Sequence, residues 1–346
     1  MLFVGLGGIG QRHLRNLKLL IPEGLEIIAY RERNLSRIIS NGLVAEDGCD
    51  LESTYGMTIF PSLIEALAQE PSIAFICNPT SMHLATAKMA AQQGCHLFIE
   101  KALSDSMDGV SELIEIAEQK KLVCMVGYQL RFHPCLTALK SIVEGGALGR
   151  IVAVNAEVGE YMPGWHKYED YRYMYAAQRS LGGGVILSQI HEYDYLLWLF
   201  GFPSKIFAIG GHLSGLEIDV EDIATVVMQC HKNGQSIPVH LHQDYLQKPP
   251  TRTCKVIGEK GKVMIDLMAL NVLHIGENGE VQQMLDYQGF DRNQSFIDEL
   301  QHFLSCCEAK IDPIVNLKEG ALSLQMALAA QASLETGSVM DLSPMF

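Results

Sequence analysis

No apolar run in this chain approaches the ~20 residues that a membrane-spanning helix needs, and no basic stretch precedes an apolar one at its start. A protein that stays where it is made is expected, with no membrane partner. Positive charge is scarce: 26 Lys and Arg face 40 Asp and Glu, for a net charge of -14. That balance argues against a nucleic-acid partner, because such proteins neutralise phosphates with clustered basic residues. The nine cysteines are odd in number and scattered, with Cys306-Cys307 the only neighbours and no C-x-x-C pair. Neither a disulfide framework nor a zinc site is indicated, no metal is expected, and a reducing cytoplasm fits best. Repeats and low-complexity stretches are also missing. What remains is an ordinary globular composition, 48% hydrophobic and 19% charged, in 346 residues. A chain of that length exceeds the size at which one core usually stops growing, so two domains are expected.

The chain opens with Leu2-Phe3-Val4 leading into Gly5-Leu6-Gly7-Gly8-Ile9-Gly10, a G-x-G-x-x-G turn. Gly5 allows the tight turn, Gly7 lets the backbone approach phosphates, and Gly10 lets helix and strand pack closely. Leu14, Leu17 and Leu20 then recur on one helical face until Pro22-Glu23-Gly24 breaks the pattern, and residues 25–30 read as a second buried strand. Together these make a β-α-β unit of ~30 residues, the context in which the turn holds a dinucleotide pyrophosphate at a helix N-terminus. Only Met1 to Val4 precede Gly5, fewer than the ~5–6 residues of a usual strand. Either this strand is short or the start lies inside a longer native sequence.

Alternation continues. Ser62 and Glu65 form a capping-box pair ahead of a short helix, residues 73–77 are an apolar strand, and Asn78-Pro79 turns into a helix capped by Thr80 or Ser81 and ending at Gly94. A strand over 96–99 delivers Glu100-Lys101 at its carboxyl end, followed by a helix near 110–120 and a strand over 122–126. Strands alternating with helices imply a doubly wound parallel sheet whose ligands sit outside the strand carboxyl ends. After about Gly127 the texture changes. Strand-like runs at 150–158, 223–230, 236–245, 254–257, 262–265 and 272–275 are separated by hairpin signals such as Lys232-Asn233-Gly234-Gln235, with helices at 191–200, 295–306 and 318–335. The fold class read from this is α/β: a Rossmann sheet over 1–126 and an α/β domain with a large, mostly antiparallel open sheet over 127–346. The closing helix, about 318–336, is expected to pack back on the first domain.

The order of Gly5 to Gly10, Asn78-Pro79-Thr80-Ser81-Met82-His83, Glu100-Lys101, residues 127–134, Gly182-Gly183-Gly184 and His191-Glu192-Tyr193-Asp194 resembles the motif series of the Gfo/Idh/MocA oxidoreductases. The resemblance runs nearly end to end. It implies an NAD(P)-binding Rossmann domain, a second domain whose open sheet often serves oligomerisation, and hydride transfer to or from a sugar or cyclitol. It places the cofactor on Gly5, Gly7, Gly8, Ile9 and Gly10, on Asn78, Pro79, Thr80 and His83, on Glu100 and Lys101, and on Gln129. A homodimer or homotetramer is expected.

Oxidising a secondary alcohol requires a base for the hydroxyl proton while the hydride leaves toward nicotinamide. The resemblance makes His191 that base and Lys101 the donor that steadies the reacting oxygen. Taken without it, a lysine pairing with Glu100 and a core histidine are the blander readings. Two departures from the family pattern stand out. Ala102 follows Lys101 where proline is common, often cis, and a cis bond is rare without proline, so a different local turn is expected. Leu187 and Ser188 occupy the region where many members carry an Asp before the histidine. Ser188 cannot supply a negative charge, and Asp194 is the substitute considered.

Cofactor choice turns on Arg31, Glu32 and Arg33 after the second strand: an acid there suits NAD and an arginine suits NADP, so both remain open. For the substrate, the stretch from Gly159 to Arg172 is rich in aromatics. Trp165 and Tyr168 offer faces to sugar rings, and Arg131, His166, Lys167 and Arg172 offer charge or hydrogen bonds, with His191 at the reacting carbon. Interface packing or a lid is the plainer reading of this stretch. It also resembles members acting in bacterial surface-sugar pathways, including those of nonulosonic acids. Two functions follow: an NAD(P)-dependent oxidoreductase acting on a secondary alcohol or ketone of a sugar-like molecule, or a non-catalytic dinucleotide-binding sensor or scaffold of the same fold.

Overall fold

Short apolar strands separated by amphipathic helices bury both faces of a sheet by pairing in parallel with helices on either side. The computed structural model, which describes residues 1–32 and 37–346, has this arrangement in its first part. Leu2–Val4, Ile28–Tyr30, Thr58–Phe60, Ile73–Ile76, His96–Glu100 and Cys124–Gly127 form one sheet, parallel at every pair. Leu2–Val4 lies centrally, between Ile28–Tyr30 and Ile73–Ile76. The chain winds outward to one edge, returns to the centre and winds to the other, and the crevice of such a sheet opens at that reversal. The glycine turn and Asn78 leave their strands there. The first strand has three residues, and the strand expected over 25–30 is confined to Ile28–Tyr30.

Two helices point their N-termini at this crevice, Gly8–Leu20 and Thr80–Gln92, and neither has a side-chain cap. The cap expected from Thr80 or Ser81 is thus replaced by Pro79 at the N-cap position, which has no acceptor side chain. The expected Ser62 cap does form: its hydroxyl accepts from the Glu65 N–H at 3.2 Å.

The second sheet has nine strands in the spatial order Val281–Asp286, Asn271–Gly276, Gly261–Asp266, Thr251–Gly258, Ile151–Gly159, Gln235–Asp244, Ile223–Lys232, Pro203–Gly211 and Met340–Asp341. Gln235–Asp244 runs parallel to Ile151–Gly159, and the remaining pairs are antiparallel. Within Ile223–Lys232 the side chains alternate, with Ala224, Val226, Met228 and Cys230 buried under helices. On the other face Phe207, Val227, His240, Asn155, Lys255 and Met264 are successive register partners across the sheet. Val152, Ile209 and Val227 are exposed, so this face has no cover within the chain.

The helix Leu317–Thr336 ties the two sheets together. Just before it, the Val315 carbonyl accepts from the Val126 N–H at 3.0 Å, and farther along Ser333 Oγ accepts from the Ala208 N–H at 2.9 Å. No helix among the described residues is long and apolar enough to cross a membrane, and all nine cysteines are free thiols.

Candidate active site

The glycine turn is built by exclusion. Gly5 has φ +90, and a Cβ there would lie 2.7 Å from the Cys77 carbonyl oxygen; a Cβ on Gly10 would lie 2.3 Å from the Gly5 oxygen. A Cβ on Gly7, by contrast, would meet nothing within 4 Å. That space borders the uncapped N-terminus of Gly8–Leu20, whose first turn has no acid. Open space beside free N–H groups and a positive dipole end suits a pyrophosphate, so these residues fit a dinucleotide. Ile9 packs into the core beneath the turn. At the end of Ile28–Tyr30, Arg31 is half-buried and Glu32 exposed; Arg33 lies outside the described residues.

Asn78 and the lysine turn are braced by one imidazole. His83 Nε2 is 2.7 Å from the Asn78 carbonyl and Nδ1 is 2.8 Å from the Ala102 carbonyl. Asn78 Nδ2 donates to Thr86 Oγ1 at 3.0 Å, and Thr80 is buried as the first residue of its helix. Glu100 turns inward to His13, Oε1 to Nε2 2.6 Å, rather than pairing with the Lys101 ammonium. Burial alone would raise the Glu100 carboxyl, but His13, with Lys101 and His83 nearby, holds it below the usual range. The Lys101-Ala102 peptide is cis, so the turn expected to differ without proline keeps that geometry. Gln129 is buried at the end of the sheet.

Lys101 then reaches across the domain boundary. Its Nζ donates to the Ser188 carbonyl at 2.6 Å, three residues before His191. His191 opens the helix His191–Phe200, is 6% exposed, and stands edge-on to Tyr128 with ring centroids 5.6 Å apart. Its Nδ1 has no partner among the described residues. Burial, then Lys101, Arg252 and Arg292, hold its pKa well below the usual histidine value, and the positive end of its own helix acts in the same direction. The fold therefore brings the two residues singled out for proton and oxygen chemistry to one place, with the imidazole neutral.

Several expected roles change. Asp194 does not support His191. It is fully buried and holds Arg131 with both Nε and Nη2, at 2.7–3.2 Å. Arg131 also donates to Glu319 and to the Ile314 carbonyl, so its donors are committed to the protein rather than to a substrate. Ser188 contributes its carbonyl to Lys101, and its buried hydroxyl lies near Tyr245. Arg172 is held at the surface by Asp170 and Glu217, away from His191. Tyr168 serves the glycine turn instead of the substrate: its hydroxyl would be 3.1 Å from a Cβ on Gly8, and its carbonyl accepts from Arg37. His166 stacks on Tyr168 and pairs with Glu169 at 2.9 Å. Trp165 packs edge-on to Tyr245, with its buried Nε1 unpartnered. Gly182 lets this segment dock, since a Cβ there would be 2.9 Å from Thr80 Cβ.

Two arginines beside His191 were not singled out from the sequence. Arg252 donates from Nε and Nη2 to Glu192, each at 2.8 Å, and Arg292 begins the helix Arg292–Ala309. Burial, with these two arginines, pushes His133 down to about 4. Strand alternation could have flagged Arg252 as a charge on the inward face beside Cys254 and Val256; nothing local marks Arg292.

A family model for the oxidoreductase NAD-binding Rossmann fold matches residues 1–128, and one for the oxidoreductase C-terminal alpha/beta domain matches residues 140–342. The chain is 24% identical over 340 residues to a myo-inositol 2-dehydrogenase of Thermotoga maritima, covering 96% of this chain and 95% of that one. It is 26% identical to a UDP-N-acetylglucosamine 3-dehydrogenase of Acidithiobacillus ferrooxidans, covering 84% and 88%. Among solved structures, the WlbA dehydrogenase from Bordetella pertussis, in complex with NADH and UDP-GlcNAcA, superposes with a TM-score of 0.79 at 20% identity over 99% of this chain and 98% of that one. With both of its domains matched, the chain belongs to the Gfo/Idh/MocA oxidoreductase family.

Proposed function

We propose that this protein is an NAD(P)-dependent dehydrogenase that moves hydride between nicotinamide and a secondary alcohol or ketone of a sugar, cyclitol or sugar derivative. The observation that carries the reading is Lys101, delivered by the cofactor-binding sheet, hydrogen-bonded at 2.6 Å to the carbonyl of Ser188 beside His191. Nicotinamide, when bound, supplies the hydride acceptor or donor. The glycine turn and the uncapped helix hold the pyrophosphate. His191, neutral and with Nδ1 unpartnered, takes the hydroxyl proton in oxidation and returns it in reduction. Lys101 hydrogen-bonds the same oxygen and stabilises its alkoxide character. Burial of both groups excludes water from the proton's path.

The relatives named as dehydrogenases of inositol and of a nucleotide sugar support a sugar-like substrate. Nine free thiols support a reducing cytoplasm. The uncovered face of the nine-stranded sheet supports a homodimer or homotetramer joined through it.

The test is a panel of sugars, cyclitols and nucleotide sugars, each with NAD⁺ and NADP⁺, followed at the absorbance of reduced nicotinamide. Turnover of at least one compound is expected. Lys101→Met and His191→Asn should each lower kcat by about 10²–10⁴-fold, with cofactor affinity nearly unchanged. Silence across the panel, together with unaltered cofactor binding in both variants, would return the protein to a sensor or scaffold.

A further inference from the structure

Charge around His191 does not balance. Lys101, Arg252 and Arg292 all act on its ring, in a chain whose net charge is -14. Arg252 is neutralised by Glu192, which is fully buried and accepts from both Nε and Nη2. Lys101 is committed to the Ser188 carbonyl. Arg292 has no hydrogen bond or ion pair from its side chain among the described residues.

Its setting is that of a cleft. Arg292 is exposed to solvent, yet surrounding protein depresses its pKa, first by desolvation and then through Arg252. Solvent access together with desolvation describes a side chain in a recess rather than on an open surface. The neighbouring residues fix it there. Asn293, next along the helix, donates to Asn16 and accepts from Arg12 and Asn16 of the cofactor helix, and His133 lies in the field of both Arg252 and Arg292. Glu160 acts on Arg252 and Arg292 in the opposite sense, without forming an ion pair with either.

A guanidinium held among like charges, desolvated but open to solvent, is stabilised most by an anion that accepts two parallel hydrogen bonds. We propose that the substrate carries an anionic group, a carboxylate or a phosphate, and that Arg292 binds it while the reacting carbon lies at Lys101 and His191. This rests on the dehydrogenase reading above and narrows it, since a neutral polyol leaves the guanidinium unpaired. Arg292 is then a specificity residue: it chooses among alcohols that Lys101 and His191 treat alike.

The test uses the full-length protein loaded with NAD⁺, so that the dinucleotide cleft is filled, titrated calorimetrically with D-glucuronate, UDP and D-glucose. Wild type is expected to bind at least one of the two anions about 10–100-fold more tightly than glucose. Arg292→Ala should abolish that preference and Arg292→Lys should keep part of it, with NAD⁺ affinity and Tm unchanged as controls of folding. Preference for glucuronate identifies a carboxylate, and preference for UDP a phosphate. Equal binding of all three probes, or an anion preference that survives in Arg292→Ala, overturns the proposal. Because binding is measured rather than turnover, an absence of dehydrogenase activity would remove the parent reading without touching this result, and turnover of neutral sugars would leave the parent reading standing.

Discussion

The helix His191–Phe200 carries two charged neighbourhoods three residues apart, and they are built on opposite rules. At Asp194 every charge is met: Arg131 gives that carboxylate three contacts and adds Glu319, and burial is outweighed so that its guanidinium stays charged. At His191 three cations face one imidazole, and Arg252 has the only buried counter-ion named among them, Glu192. Desolvated charge is tolerable when it is paired and hydrogen-bonded. The Asp194 cluster therefore reads as structure, locking the residues after the Rossmann sheet to the second domain. The His191 cluster is left cationic, which is a condition for binding and for keeping a base neutral.

Breaking the balanced side should have the largest effect. Asp194→Asn leaves Arg131 buried without its main counter-ion, and removing one partner of such a pair costs about 3–5 kcal/mol. Urea denaturation should show that loss, with cofactor binding retained in the folded protein. If stability were unchanged and kcat alone fell, Asp194 would belong beside His191 after all.

Glu299 tests the rule from another side, because it is 1% exposed with neither carboxyl oxygen partnered. Burial, with Glu100 and Asp194 adding repulsion, holds its pKa well above the usual value, so the fold keeps it neutral instead of pairing it. Above about pH 4 the unfolded chain gives up this proton while the folded chain retains it. The contribution of Glu299 to stability is therefore full below that pH and is lost as pH rises toward the folded pKa. Glu299→Met should gain about 1–3 kcal/mol at pH 8, with the gain shrinking toward pH 4. A difference that does not vary with pH would mean that the carboxyl is ionised and paired.

What the sequence disclosed follows the range of the interactions. The glycine turn was legible because its whole logic lies within six residues and the strand and helix on either side. Lys101 and His191 became legible through motif order alone, since only the fold brings them together. Arg131 was assigned to a substrate because a positive residue in sequence shows no sign of a partner 63 positions away. The Arg172 assignment could have been avoided: Asp170 stands two residues before it and accepts its hydrogen bonds. Arg252 and Arg292 sit in a strand and at a helix start, where periodicity reads a charge as solvated. A local pattern reports which face a residue takes, not which opposite charge reaches it.

The smallest expected effect sharpens the unbalanced side through the pH profile. His242, in the same domain, has its pKa raised by a hydrogen bond and charge from Asp244. His191 has no such acid, and burial with three cations lowers it. In the oxidation direction the base must be neutral, so kcat/KM should stay flat as pH falls through 6.5, the ordinary histidine value, and drop only below it. In reduction the ring must carry the proton, and that direction should weaken with rising pH from a correspondingly low value. Arg292→Ala removes one of the cations, so the acid limb of kcat/KM should move upward toward 6.5. A bound anion at Arg292 acts in the same direction, so with an anionic substrate the limb in kcat, which reports the complex, should lie above the limb in kcat/KM, which reports the free enzyme. An acid limb at or above 6.5 in the free wild-type enzyme would mean that a carboxylate reaches His191 in solution, and the contrast with Asp194 would no longer hold.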